Sequence, residues 1–206
     1  MSKRGHADTA LIIFVKQPIP GQVKTRLAAT LGDDAAVAIY QQLIAHTRSV
    51  TNAFFGRRYV FYHHEVPAED LWTGTGTTRH QQQGGDLGAR MQHALSQVLT
   101  QHDQALIIGS DCGELTAAHL QAATEALRWT DVVVGPARDG GYYLLGMKQT
   151  APALFSDMPW STADVLPTTL DRLHEQRLNF KLLEQLSDVD TEDDWRRLGW
   201  GQSEEE

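Results

Sequence analysis

The chain holds one cysteine among its 206 residues, so no disulfide can form within it. No Cys/His set has the spacing of a zinc site. It also lacks an excess of positive charge. Eighteen basic residues against 26 acidic ones leave a formal charge of -8, the reverse of a generic nucleic-acid or anionic-membrane binder. Long apolar runs are missing too. Ala10 to Val15 is too short for a signal-peptide core and meets Lys16 at once, and nothing approaches the roughly 20 apolar residues of a membrane span. A Walker loop is absent, because two residues separate Gly21 from Lys24; this disfavours a kinase-like phosphotransferase. There is no internal repeat and no low-complexity block. What remains is ordinary: 41% hydrophobic and 21% charged residues suffice for a core and exclude global disorder. The length favours one compact domain, folded over about 9–200, with polar tails at 1–8 and 201–206. The composition suits a reducing cytoplasm.

Strand and helix signals alternate along the chain. Leu11–Val15, Tyr59–Tyr62, Ala105–Ile108, Asp131–Val134, Tyr142–Leu145 and Phe180–Leu183 are short apolar runs that read as strands, several of them buried on both faces. Helical spacing links Ala36, Ile39, Tyr40, Leu43, Ile44 and Thr47 after a start at Asp33 and Asp34. The same period joins Leu87, Met91, Leu95 and Val98 after Asp86. Leu120, Ala123 and Leu127 follow a cap at Thr116. Leu166, Leu170 and Leu173 follow a start at Ser161 or Thr162, and Asp188–Thr191 opens a short terminal helix. Lys16 to Arg26 and Leu71 to Thr78 read as loops. This order predicts a three-layer α/β/α fold with a mostly parallel sheet, in which ligands bind beyond the carboxyl ends of the strands.

The polar residues that suit such a site fall after strands. Lys16, Lys24 and Arg26 bring three cations into a loop shaped by Pro18, Pro20 and Gly21, suited to neutralising phosphate. Asp111 in Gly109-Ser-Asp-Cys112 follows a buried strand; a carboxylate there needs a partner and is a natural ligand for Mg²⁺ or Mn²⁺. Capping the turn is the competing role. Cys112 reads as buried filler. Asp139, Gly140 and Gly141 lie in a loop that a ligand's hydroxyls can approach, and of Tyr142 and Tyr143 one belongs to the core. Asp188 and Asp190 share one side of an extended segment and can share a cation; Asp190 or Thr191 can equally cap the last helix. Asp86 and Arg90 begin a helix after two glycines, which suits an anion or a tight turn. His63 and His64 face opposite ways and read as surface imidazoles. Trp160 precedes a helix and either lines an acceptor pocket or packs on a capped end.

Read in order, K-x-P-x-P-G-x-x-K-T-R-L, Q-x-G-G-D-L-G-x-R-M, G-S-D-C, G-P-A-x-D-G-G-Y-Y-L and D-V-D-T span about Leu11 to Leu198. Together they resemble a bacterial glycosyltransferase-like family, once a domain of unknown function. That family belongs to the nucleotide-diphospho-sugar transferases of GT-A, Rossmann-like fold and is similar to the cofactor guanylyltransferases. The resemblance implies a metal-dependent transferase that uses a nucleotide-sugar or nucleoside triphosphate donor and a small-molecule acceptor. A nucleotide-binding module that keeps the fold without turnover is the alternative. Lys16, Lys24 and Arg26, with Gly21, Asp86 and Arg90, would hold the donor's phosphates, with Lys24, Arg26 and Asp111 closest to the chemistry. Asp111 and Asp190 would bind the Mg²⁺ or Mn²⁺. Asp139, Gly140, Gly141, Tyr142 and Trp160 would face the acceptor or sugar. Two departures stand out. The Pro-containing loop replaces the usual G-x-G-x-x-R opening, and Gly113 stands where the family usually has proline after the cysteine.

Overall fold

The computed structural model describes residues 8–200, so the tail readings at 1–7 and 201–206 lie outside the described residues. Asp8, grouped with the first tail, is held. Its carbonyl accepts from the Asp103 and Gln104 amides at 3.1 and 3.3 Å, and its carboxylate meets His102 Nδ1 at 2.7 Å.

Seven strands form one sheet: β1 (Thr9–Val15), β2 (Arg57–Tyr62), β3 (Thr78–Gln81), β4 (Gln104–Ile108), β5 (Val132–Pro136), β6 (Tyr142–Met147) and β7 (Phe180–Leu182). Their order is β3-β2-β1-β4-β6-β5-β7. All pairings are parallel except those of β6, which runs antiparallel to both β4 and β5. The helices are α1 (Thr25–Leu31), α2 (Asp33–Asn52), α3 (Leu87–Leu99), α4 (Ala117–Ala126), α5 (Val165–Glu175) and α6 (Glu192–Leu198).

The period-2 alternation of the strands divides the core in two. Leu11, Ile13 and Val15 of β1 pack with Leu27 of α1, the apolar face of α2, and Leu120 and Ala123 of α4; Trp195 and Leu198 of α6 join that cluster. Ala10 and Ile12 point the other way, onto Met91, Leu95 and Val98 of α3 and Leu173 of α5. This is the expected three-layer α/β/α arrangement. Among the described residues no helix is long and apolar enough to cross a membrane.

Some boundaries differ from the sequence reading. β3 has no apolar residue and pairs at the sheet edge through its backbone. The seven residues of α1 bury Leu27 alone, too few for a visible period. α5 begins at Val165 after Asp164, not at Ser161 or Thr162, and Leu166 and Leu170 are half-buried. Leu87, assigned to the inward stripe of α3, is 43% exposed.

Of the tyrosine pair, Tyr143 is the core residue. Its ring covers Gly135 so closely that a Cβ there would lie 2.4 Å from it, and its hydroxyl donates to the Glu184 carbonyl at 3.1 Å.

Candidate active site

Chain direction switches between β1 and β4: from β1 the chain continues to β2 on one side, while β4 lies on the other. A parallel sheet opens a crevice at such a point, outside the carboxyl ends of the strands. The loop after β1 carries Lys16 and Lys24, and the loop after β4 carries Asp111.

Asp190 arrives from the far edge of the sheet. After β7 the chain runs back across the ends of β5 and β6. The Leu183 and Leu186 amides donate to Val134 and Pro136 carbonyls, and the Val189 amide donates to the Asp111 carbonyl at 3.0 Å. Val189 is buried. Extended geometry then puts its neighbours Asp188 and Asp190 on the cleft side.

The three elements meet at Lys24. Its ammonium donates to Asp111 Oδ2 at 3.1 Å and to Asp190 Oδ1 at 2.9 Å. Arg26 Nη1 lies 3.8 Å from Asp190 Oδ2, and its side chain is 70% exposed. The Lys24 side chain is only 5% exposed, while Asp111 and Asp190 keep 40% and 39% of theirs open. Burial alone would drive the proton off Lys24, but the two aspartates more than offset it and raise its pKa. Burial likewise opposes ionisation of Asp111, and the adjoining ammonium and its hydrogen bond hold that carboxyl below the usual range.

Asp188 is the unmatched member. Its Oδ1 is buried without a hydrogen-bond partner. Burial, then the charge of Asp111, push its pKa up to about 8. Facing the cleft are thus three half-buried aspartates, of which Asp111 and Asp190 share the enclosed lysine. That pair of carboxylates fits Mg²⁺ or Mn²⁺ held through one or two carboxylates and completed by a ligand's phosphates. It does not fit an all-protein cage: among the described residues no three His, Cys, Asp or Glu side chains group to hold a metal.

The cleft has two connected lobes that share Lys16, Tyr40, Asp111, Asp139, Ser161, Thr162 and Asp190. One, of about 470 Å³, is polar and includes Lys24, Thr25 and Arg26. The other, of about 450 Å³, is walled by Phe14, Met91, Tyr142 and Trp160, with His63 and Arg90 at its rim. Tyr142 meets the Trp160 indole edge-on, ring centroids 6.4 Å apart.

The remaining expected residues divide. Gly141 and Asp139 line the cleft, and the Gly141 amide donates to Asp139 Oδ1 at 2.9 Å. Gly140 does not line it. Its φ of +92° and an ideal Cβ 2.4 Å from Ala163 Cα show that it seats this loop on the approach to α5. Gly21 (φ +74°) turns the basic loop outside the cleft lining. Asp86 caps α3, accepting from the Ala89 amide at 2.8 Å. Arg90 donates from Nε to the Gly84 carbonyl at 3.1 Å and from Nη1 to His63 Nδ1 at 2.7 Å. His63 is therefore a neutral acceptor in the cleft wall and not a surface imidazole; burial and then the Arg90 charge lower its pKa.

Tyr40 and Ser110 were missed as site residues. Tyr40 reads as one more apolar position of α2, yet its hydroxyl accepts from the Lys16 amide at 3.0 Å and pairs with Ser110 Oγ at 2.8 Å. It thereby ties the ends of β1 and β4 together. Cys112 is buried, and burial raises its thiol pKa further, as suits filler. Gly113 has a local reason as well: Leu198 of α6 sits where its Cβ would be, 2.4 Å away.

The family model described as "uncharacterized protein conserved in bacteria" (DUF2064) matches residues 46–162. The chain belongs to that family. A protein of Desulfovibrio desulfuricans G20, provisionally assigned as a nucleotide-diphospho-sugar transferase, is 33% identical; the match covers 90% of this chain and 83% of that one, with a TM-score of 0.81. Rv0371c of Mycobacterium tuberculosis H37Rv, in complex with manganese, shares the fold at 16% identity, covering 93% and 97% of the two chains with a TM-score of 0.53. So does the 4-diphosphocytidyl-2C-methyl-D-erythritol synthase of Anaerococcus prevotii DSM 20548, at 12% identity, 94% and 97% coverage and a TM-score of 0.58. No curated protein matches the chain significantly.

Proposed function

We propose that this chain is a metal-assisted transferase acting on a nucleotide-linked donor, by nucleotidyl or glycosyl transfer. The observation that carries the reading is the convergence of Asp111, Asp190, Lys24 and Arg26 from three separate loops at the switch point of the sheet. The similarity to a protein provisionally assigned as a nucleotide-diphospho-sugar transferase agrees with it.

Both reactions expel a diphosphate, and the negative charge on it grows as the bond breaks. Groups already aimed at that charge lower the barrier. Lys16, Lys24 and Arg26 would pair with the phosphate oxygens. Asp111 and Asp190 would hold Mg²⁺ or Mn²⁺, which when bound supplies further neutralisation of the departing group. Asp139 and the Tyr142–Trp160 wall would position the sugar or acceptor. Tyr40 would keep Lys16 and Ser110 in register.

A thermal-shift screen of nucleoside triphosphates and nucleotide-sugars, each with and without Mg²⁺ or Mn²⁺, tests this. Selective stabilisation that needs the metal is the expected result and identifies the donor class. Stabilisation indifferent to metal and to Asp111→Ala would favour a binding module without turnover, and a flat screen would count against both readings.

A further inference from the structure

We propose that Lys24 is a built-in substitute for the divalent ion: its ammonium holds Asp111 and Asp190 together, keeps free metal from them, and leaves only when a diphosphate arrives to receive it. The idea rests on the two-carboxylate reading above. A nitrogen 3.1 Å from one carboxylate oxygen and 2.9 Å from the other occupies the space of any ion those oxygens would share; Mg²⁺ would need oxygens at roughly 2.0–2.1 Å. The lysine and the ion are therefore alternatives.

Free metal alone would strand the ammonium. The side chain is only 5% exposed, so an ammonium left in place would stay out of water. A buried charge that loses its partner is costly. Arg26 does not share that place: its guanidinium lies 3.8 Å from Asp190 alone and is mostly exposed. A diphosphate resolves the conflict by supplying anionic oxygens to Lys24 while its other oxygens complete the metal's coordination. Metal and diphosphate then favour each other's binding, and by linkage the coupling is mutual.

The test needs no turnover. Mn²⁺ binding is followed by electron paramagnetic resonance in the wild type, Lys24→Met and Lys24→Arg, alone and with inorganic pyrophosphate, correcting for Mn²⁺–pyrophosphate in solution. Lys24→Met should bind Mn²⁺ alone about tenfold or more tightly than the wild type, and Lys24→Arg should not. Pyrophosphate should raise the affinity of the wild type by a clearly larger factor than that of Lys24→Met, where only the completion of the metal's coordination remains. Equal Mn²⁺ affinities in wild type and Lys24→Met, equal enhancement by pyrophosphate in both, or no Mn²⁺ binding by either would overturn the proposal. If Lys24→Met does not fold, the wild type decides alone, since Mn²⁺ affinity unaffected by pyrophosphate is equally fatal. Such a failure beside intact nucleotide-dependent thermal shifts removes the lysine's role and leaves the transferase reading standing.

Discussion

Asp188 makes the metal-free site less stable than it could be. Its folded-state pKa of about 8 lies above the ordinary 3.8, so between those values the folded protein binds the extra proton and loses stability as pH rises. Asp188→Asn removes that loss. The variant should melt higher than wild type near pH 8, by about 2–4 °C per kcal/mol relieved, and the gain should vanish towards pH 4. A melting temperature unchanged or lower at pH 8 would mean that the surplus charge is already compensated. Asp111→Asn acts on the other side of the balance. It leaves Lys24 one carboxylate and should abolish metal-dependent stabilisation by nucleotide, read by thermal shift, while nucleotide-free protein stays folded.

At the scale of elements, two local devices hold the loops that carry the site. Thr191 and Asp194 form a capping box at α6: the Asp194 amide donates to Thr191 Oγ1, and Asp194 Oδ2 accepts from the Thr191 amide at 2.9 Å. Burial opposes the ionised form of Asp194, but the Thr191 and Asp190 hydrogen bonds and then Arg197 lower its pKa below 3.8. Its contribution is complete above that value and is lost as pH falls further. Asp194→Ala should cost about 1 kcal/mol in denaturant unfolding at neutral pH, and the difference from wild type should shrink in acid. Gly140→Ala should cost more, about 2 kcal/mol or above, because left-handed backbone and a clash with Ala163 coincide. Urea midpoints would show it.

Six of the seven strands were legible because each is a compact apolar run. β3 was not, since Thr-Arg-His-Gln has no apolar residue; backbone pairing, Arg79's hydrogen bonds to the preceding loop and the stacking of His80 on Phe61 hold it in place. Nor was α1, which buries one leucine. In the candidate site, Asp111 stood out as a charge directly after a buried strand, while Lys24 and Arg26 were marked by the cations gathered in the loop after β1 and Asp190 by the order of clusters that carries the family resemblance. Tyr40 was hidden by its own ring, whose burial satisfies the helical period while the hydroxyl does the polar work. His63 was hidden because its partner, Arg90, is distant in sequence.

For the whole molecule, the decisive feature is the switch between β1 and β4 together with the return of the chain after β7. The first opens a crevice, and the second carries Asp188 and Asp190 across the sheet to Asp111. The net charge of -8 works against a nucleotide's approach, and the three cations of the loop after β1 offset it at the cleft. Isothermal titration of the best nucleotide from the thermal screen, with Mn²⁺ and then with chelator, on wild type and Asp111→Asn, addresses the cleft directly. Binding to wild type that falls by about tenfold or more on removing either the metal or the Asp111 carboxylate is the predicted result. Equal affinity in all four titrations would contradict the assignment of these aspartates to a metal–nucleotide site.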